Sequence, residues 1–317
     1  MFGINVKKRD NPAHLMTPKK ENKLLRFLNS KKVVPYVFVF PFILSFTILT
    51  LYPTIQAVIM SFQRILPGNV EFIGLQNYSR IFNDTFYKAL ANSTIYMILT
   101  VLILISIPIL LAILLDSKLV RFKTLFRSAL FIPALTSIIV AGVIFRLVFS
   151  ESENAIANQI IGFLGFEPVQ WQFTAWSGMF LMVMMASWRW MGVNVLYFLA
   201  GLQNIPKELY ESADIDGANM YQKFRHVTLP FLKPIIIFVT TISIIGGFRV
   251  FEESYVIWQG NSPGNIGLTL VGLLYQQGIQ QNDMGFGAAI GVILLLIIFI
   301  VSIIYLLLTG AFKRGDE

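Results

Sequence analysis

Residues Lys207 to Pro234 form a charged, patterned island in a chain that is otherwise nearly all apolar, and they are where contact with a soluble partner would be built. Asn204 and Pro206 offer a helix start, and Glu208 and Glu211 fall in its first turns, where negative charge suits the helix dipole. Ile205, Leu209 and Ala213 recur at four-residue spacing beside an acidic flank of Glu208, Glu211 and Asp214. Asp216-Gly217 should stop this helix, because glycine accepts a left-handed turn without a Cβ penalty. A second short helix with Met220, Phe224 and Val227 on one face is expected next, ended by Leu229-Pro230, with Pro234 opening another apolar run.

The other candidate for chemistry is Arg189, in Trp188-Arg189-Trp190, about midway along a long apolar segment. An ionisable side chain at membrane depth marks a functional position by default. No Asp or Glu is expected at comparable depth, which leaves backbone carbonyls, water, a partner subunit or a hydroxyl-rich substrate as its partners. Its helical neighbours Met185, Ala186, Gly192 and Val193 do not make a polar lining, and Trp188 and Trp190 point to different faces. Substrate contact and a structural or intersubunit role therefore both stay open.

Other chemistries are poorly supplied. There are no cysteines and two histidines, His14 and His226, so neither a thiolate site nor a histidine metal site is expected. No Gly-x-x-x-x-Gly-Lys-[Ser/Thr] phosphate loop occurs, no carboxylate pair or activated nucleophile is discernible, and no cofactor is expected.

The elements that hold these residues follow from composition. With 56% hydrophobic and 13% charged residues, the chain is a polytopic, all-α membrane protein. About 20 residues cross a bilayer. Runs without Asp, Glu, Lys or Arg extend for 31 residues after Lys32, 27 after Lys88, 18 after Arg127 and 29 after Asp283. A long helix from about Thr174 to Gln203 and another starting near Pro230 complete six spans. The charge-free run Ser254 to Asn282 is not a span, because Gly260 to Asn265 and Gln276-Gln277 would leave polar groups unpaired in lipid. Pro41, Pro53, Pro108 and Pro133 predict kinks. Gly287-x-x-x-Gly291 predicts close helix packing. Tyr36, Tyr52, Trp171 and Trp176 are expected as interfacial anchors.

Nineteen of the 25 Lys and Arg fall in residues 1–33, 118–127, 207–233 and the tail at 313–317, all on one side of a six-span arrangement. Loops 150–173 and 252–285 on the other side hold none and carry Glu151, Glu153, Glu167, Glu252, Glu253 and Asp283. By the positive-inside rule both termini and the Glu211 loop are cytoplasmic. The net charge of +8 then reports topology and anionic lipid, with no call for nucleic acid. The basic stretch 1–33 lacks an apolar core of signal-peptide length and reads as a cytosolic arm.

Glu211-Ser212-Ala213, Gly217 and Leu229-Pro230 resemble the coupling-loop motif of bacterial ABC-importer permeases, Glu-Ala-Ala, three residues, Gly and later Leu-Pro, with Ser212 in place of the middle Ala. Gly74-Leu75-Gln76-Asn77-Tyr78 and Ile215-Asp216-Gly217-Ala218 resemble the carbohydrate branch, most of all permeases for arabinose or arabino-oligosaccharides, and the likeness runs from Pro35 onward. It implies the type I importer fold over residues 34–312, with a core at about 89–310 and a coupling loop at 204–234. It also implies a second, homologous permease, two cytosolic ATPase subunits and an external sugar-binding protein facing Ile65 to Phe86 and Glu252 to Gly285. In that setting Glu208, Glu211, Ala213, Asp216, Gly217, Leu229 and Pro230 would couple to the ATPase, and Arg189, Trp188 and Trp190 would be the candidate sugar pathway. Another plant-wall oligosaccharide or glycerol phosphate is the alternative cargo. An ion-coupled secondary transporter would instead need mid-membrane acids and inverted repeats, and a hairpin merely lying on lipid is disfavoured by its acidic first helix.

Overall fold

The computed structural model describes residues 30–66, 68–117 and 120–311, so the arm at 1–33, but for its last four residues, and the tail at 313–317 lie outside it. Val34–Met60 (α1) is a long apolar helix. After it come a two-stranded antiparallel hairpin, Gln63–Leu66 (β1) with Asn69–Phe72 (β2), and the short helix Gln76–Ile81 (α2). The long helix Asp84–Asp116 (α3) follows, then Lys123–Leu135 (α4), Ile138–Val148 (α5) and the short Ile156–Phe163 (α6). Ala175–Gln203 (α7) leads to Lys207–Ile215 (α8) and Met220–Phe248 (α9). Glu252–Trp258 (α10), Leu270–Tyr275 (α11) and Met284–Leu308 (α12) complete the chain.

Five of these helices (α1, α3, α7, α9 and α12) are long and apolar enough to cross a membrane, and α4 with α5 makes a sixth if the bent pair is one span. With that pair counted as one, the described residues hold the expected six spans, with three changes. The third is not one rod: α4 and α5 meet at 98°. Pro133 weakens the last turn of α4, and Thr136 and Ser137 are extended, with the Thr136 hydroxyl donating to the Ile132 carbonyl at 3.4 Å. The fifth begins at Met220 and not near Pro230, because Leu229-Pro230 does not end a helix. A π-turn at Phe224–Thr228 widens the preceding turn, with Leu229 N–H donating to the Phe224 carbonyl, so the proline ring clears the carbonyl four residues back. Thr47–Leu51 in α1 does the same ahead of Pro53. Third, the β-hairpin is an addition to the all-α expectation.

α3 runs along α7, and α9 packs on both. Residues 254–282 form no span, as expected. Gly287 meets Gly278 so closely that a Cβ on it would lie 2.6 Å from the Gly278 Cα, which confirms packing as the use of that small-residue run. Trp171 corrects an expectation: it is buried, and its indole N–H donates to Asn158 Oδ1 at 2.9 Å. Asn77 of the Gly-Leu-Gln-Asn-Tyr segment is buried too and donates to the carbonyls of Ser61 and Gln63, each at 3.0 Å, fastening the hairpin to α2.

Asn219 and Asn261 are both exposed and belong to loops expected on opposite sides. Single cysteines placed at these positions of the cysteine-free chain should react with an impermeant thiol reagent from opposite faces of the membrane. Labelling of Asn219→Cys in intact cells would reverse the assigned orientation.

Candidate functional site

Two regions gather the candidate residues. The first is the loop between α7 and α9. α8 starts after Pro206, and Glu208 and Glu211 are exposed on it without a hydrogen bond or ion pair among the described residues. Gly217 takes φ +73°, with its N–H on the Asp214 carbonyl and Ala218 N–H on the Ala213 carbonyl at 2.9 Å. This is the expected left-handed stop. Asn219 then caps α9 reciprocally: it accepts from Gln222 N–H at 2.9 Å while its own N–H donates to Gln222 Oε1 at 2.8 Å. Asp214 pairs with Lys223, and the Tyr210 and Thr228 hydroxyls meet at 2.9 Å, so the two arms of the loop are tied twice.

The apolar stripe of α8 is divided between the chain's own core and a surface groove. Ile205 lies in the chain's own core with Leu115, Leu202 and Leu232. Leu209 and Ala213 line a groove of about 480 Å³ with Asp216, Gly217, His226 and Phe231. The apolar groups left outward are Ile215, Met220 and Tyr221, at 88%, 83% and 65% exposure. Of these, sequence periodicity singled out Met220 alone, because Ile215 and Tyr221 sit at helix ends, off any stripe. Leu229 and Pro230 shape the backbone beside the π-turn and add nothing to the groove.

The second region is a cavity of about 530 Å³ bounded by α3, α7, α9 and the start of α10. Arg189 lies in it, and here the structure overturns the expectation that no acid reaches this depth. Arg189 Nη1 is 3.4 Å from Glu252 Oε2 and 3.7 Å from Glu253 Oε1. The two acids belong to a segment expected at the outer surface. They come inward because α9 ends at Phe248 and the chain folds back as α10 against α5 and α7, burying Glu253, Ser254 and Ile257. Desolvated opposite charges then meet.

The tryptophans part as expected. Trp190 lines the cavity with its ring centre 5.5 Å from the Arg189 guanidinium carbon, whereas Trp188 packs on Phe145 at 6.0 Å between ring centres. Thr100, Asn194 and Ser243 add polar groups from three helices to the wall. Asn194 Nδ2 is committed to the Leu104 carbonyl at 2.9 Å, which leaves its Oδ1 as an acceptor. Pattern reading missed them because Thr100 and Asn194 are single polar residues in apolar runs and Ser243, after Thr240 and Thr241, carries no charge to mark it. A guanidinium, two carboxylates, an indole face and scattered hydroxyls suit a polyhydroxylated ligand, whose hydroxyls both donate and accept and whose C–H face can lie on an aromatic ring.

The Arg189–Glu253 pair is largely buried, with side chains 12% and 9% exposed. Removing one partner strands the other. Arg189→Met should lower stability by on the order of 3 kcal/mol, read as a lower thermal midpoint of the purified protein. Arg189→Met with Glu253→Gln should cost less than the two single changes together. Strict additivity would show that the pair is not coupled.

Residues 82–314 match the family described as binding-protein-dependent transport system inner membrane component. The chain is 69% identical over 299 residues to the arabinooligosaccharides transport system permease protein of Halalkalibacterium halodurans, covering 94% of this chain and 95% of that one. It is 64% identical over 284 residues to the protein of the same description from Bacillus subtilis, covering 90% and 91%. In fold it is similar to a chain of a bacterial ABC transporter that imports the acidic polysaccharide alginate, with a TM-score of 0.78 at 20% identity over 93% of this chain and all of that one. This chain belongs to the family of binding-protein-dependent inner-membrane transport components.

Proposed function

We propose that this chain is the membrane-spanning permease subunit of an ATP-driven importer for arabino-oligosaccharides, with the sugar passing through the cavity around Arg189. The observation that carries the reading is the 69% identity over nearly the whole chain to a permease described for those sugars. The wall agrees with it: Trp190 offers an apolar face, and Thr100, Ser243 and the Asn194 carbonyl oxygen offer hydroxyl partners. Trp188 is outside the pathway on this reading.

The permease domain is residues 34–312, with its core at about 89–310, and both termini and residues 204–234 face the cytoplasm. The 204–234 loop receives a cytosolic ATPase. Glu208 and Glu211 present charge to it, Ile215, Met220 and Tyr221 present apolar surface, and Gly217 sets the angle between the arms. Ala213, Asp216, Leu229 and Pro230 shape the loop. A second permease, a second ATPase and an external sugar-binding protein complete the assembly.

The test is reconstitution of the chain with those partners in proteoliposomes, where arabinotriose should accumulate only with ATP and binding protein. Gly217→Val should lower uptake at least about tenfold, because the left-handed conformation costs a residue with a Cβ roughly 1–2 kcal/mol and valine more. A Cβ there meets no atom within 4 Å. The defect is therefore conformational, and Gly217→Asn, which tolerates positive φ, should restore uptake. Glu211→Lys should uncouple ATP hydrolysis from transport in complexes that still assemble. Normal uptake by Gly217→Val and Glu211→Lys would remove the loop from coupling, and ATP-independent uptake by the wild type would refute an ATP-driven importer.

A further inference from the structure

We infer that Glu252 and Glu253 set the charge class of the transported sugar: by engaging Arg189 they make the cavity a receptor for uncharged oligosaccharides and turn away those bearing a carboxylate. The inference rests on the cavity being the sugar pathway. Four charged side chains line it, Arg189, Arg249, Glu252 and Glu253, two of each sign.

A largely buried guanidinium standing alone would be a strong carboxylate receptor, since its planar fork matches the two oxygens of an acid. Here Arg189 Nη1 is turned to the chain's own acids, 3.4 Å from Glu252 and 3.7 Å from Glu253. The two acids differ in access. Glu253 is buried behind the pair, while the Glu252 side chain is 60% exposed and faces an incoming ligand. An acidic sugar would have to displace Glu252 from Arg189 or lie beside two carboxylates, which leaves it only the exposed Arg249 on the same wall as a cation without an ion pair among the described residues. A neutral sugar meets no such barrier. Its hydroxyls can donate to the free oxygen of the exposed Glu252, and charge-assisted bonds of this kind are the stronger ones. The pair also anchors α10, so a purely structural role has to be separated from selectivity. Glutamine allows that separation: it keeps the shape of glutamate and removes its charge.

The assembled transporter in detergent would be titrated calorimetrically with arabinotriose and with its aldonic acid, the same sugar oxidised at the reducing end to a carboxylate. The wild type should bind the neutral sugar at least about tenfold more tightly than the acid, and Glu252→Gln should bring the ratio to about threefold or less by tightening the acid. Glu253→Gln should act in the same direction. Because Glu252 is exposed, its variant should fold normally even if Glu253→Gln does not. An unchanged ratio in Glu252→Gln, or equal binding of both sugars by the wild type, overturns the inference while leaving the importer reading intact. Failure of the wild type to bind arabinotriose at all removes the cavity from the sugar pathway, and this inference with it.

Discussion

In hydrocarbon no water is at hand to satisfy a peptide group that leaves a helix, and this constraint governs how the chain departs from regular structure. At three places where it does so, a buried or half-buried asparagine amide supplies the missing bonds. Asn92 on α3 donates to the carbonyls of Asn265, Ile266 and Leu268, at 3.2, 3.2 and 2.9 Å, and so holds the irregular run before α11 against α3. Asn158 on α6 donates to Ser150, Ser152 and Val169 and accepts from Val169 N–H and Trp171 Nε1, closing the loop between α5 and α7. Asn77 does the same for the hairpin. The prolines obey the same rule by another route, since the π-turns ahead of Pro53 and Pro230 keep the backbone bonded where a straight helix would have to break or kink.

That same accounting produces the cavity. Non-helical backbone at depth is tolerated where protein buries it or where it lines an aqueous space, and the short turn between α9 and α10 does both. Phe248 is buried, Arg249 faces the cavity, and Glu253 turns under the segment to meet Arg189. The charge on α7 and the fold-back of the chain after α9 explain one another. Without Arg189 the two acids would have no reason to lie inward, and without them Arg189 would be a lone charge among helices.

Much of this could be read from the sequence because composition and capping act locally. Thr174 and Gln203 bounded α7, which the structure places at Ala175–Gln203, and Asp283 opens α12 by accepting from Phe286 N–H. Gly217 was legible as a turn because few other residues take φ +73°. The fate of Glu252 and Glu253 was hidden by the same logic that placed the spans. Counting charges assigns acids to water, and nothing local shows that a segment 63 residues from Arg189 will fold back beside it. Trp171 was misplaced for a related reason: an indole near a span end suits an interface equally well as a core, and only the tertiary position of Asn158 decides. Leu229-Pro230 misled because proline usually ends a helix, and the π-turn that rescues it has no sequence signature.

The two functional regions are joined by stiff elements. Arg189 lies 14 residues before Gln203 in an unbroken helix, about 21 Å at 1.5 Å per residue. Glu252 follows four residues after α9, the helix that begins inside the loop at Met220. Arg189, midway along α7, and its acids, just past the far end of α9, therefore stand on two stiff helices that the loop connects. Within the loop, α8 is tied to the start of α9 by Asp214–Lys223 and Tyr210–Thr228, and Ile205, between α7 and α8, packs in the core with Leu202 and Leu232. A load on the loop that leaves these ties intact would move α8 and the start of α9 as one piece. A change of angle at Gly217 would instead move α8 against α9, and the two ties across that turn oppose it. The ties across the loop thus favour rigid transmission over local bending, and they explain why a glycine turn, a reciprocal cap and an ion pair are concentrated in so few residues.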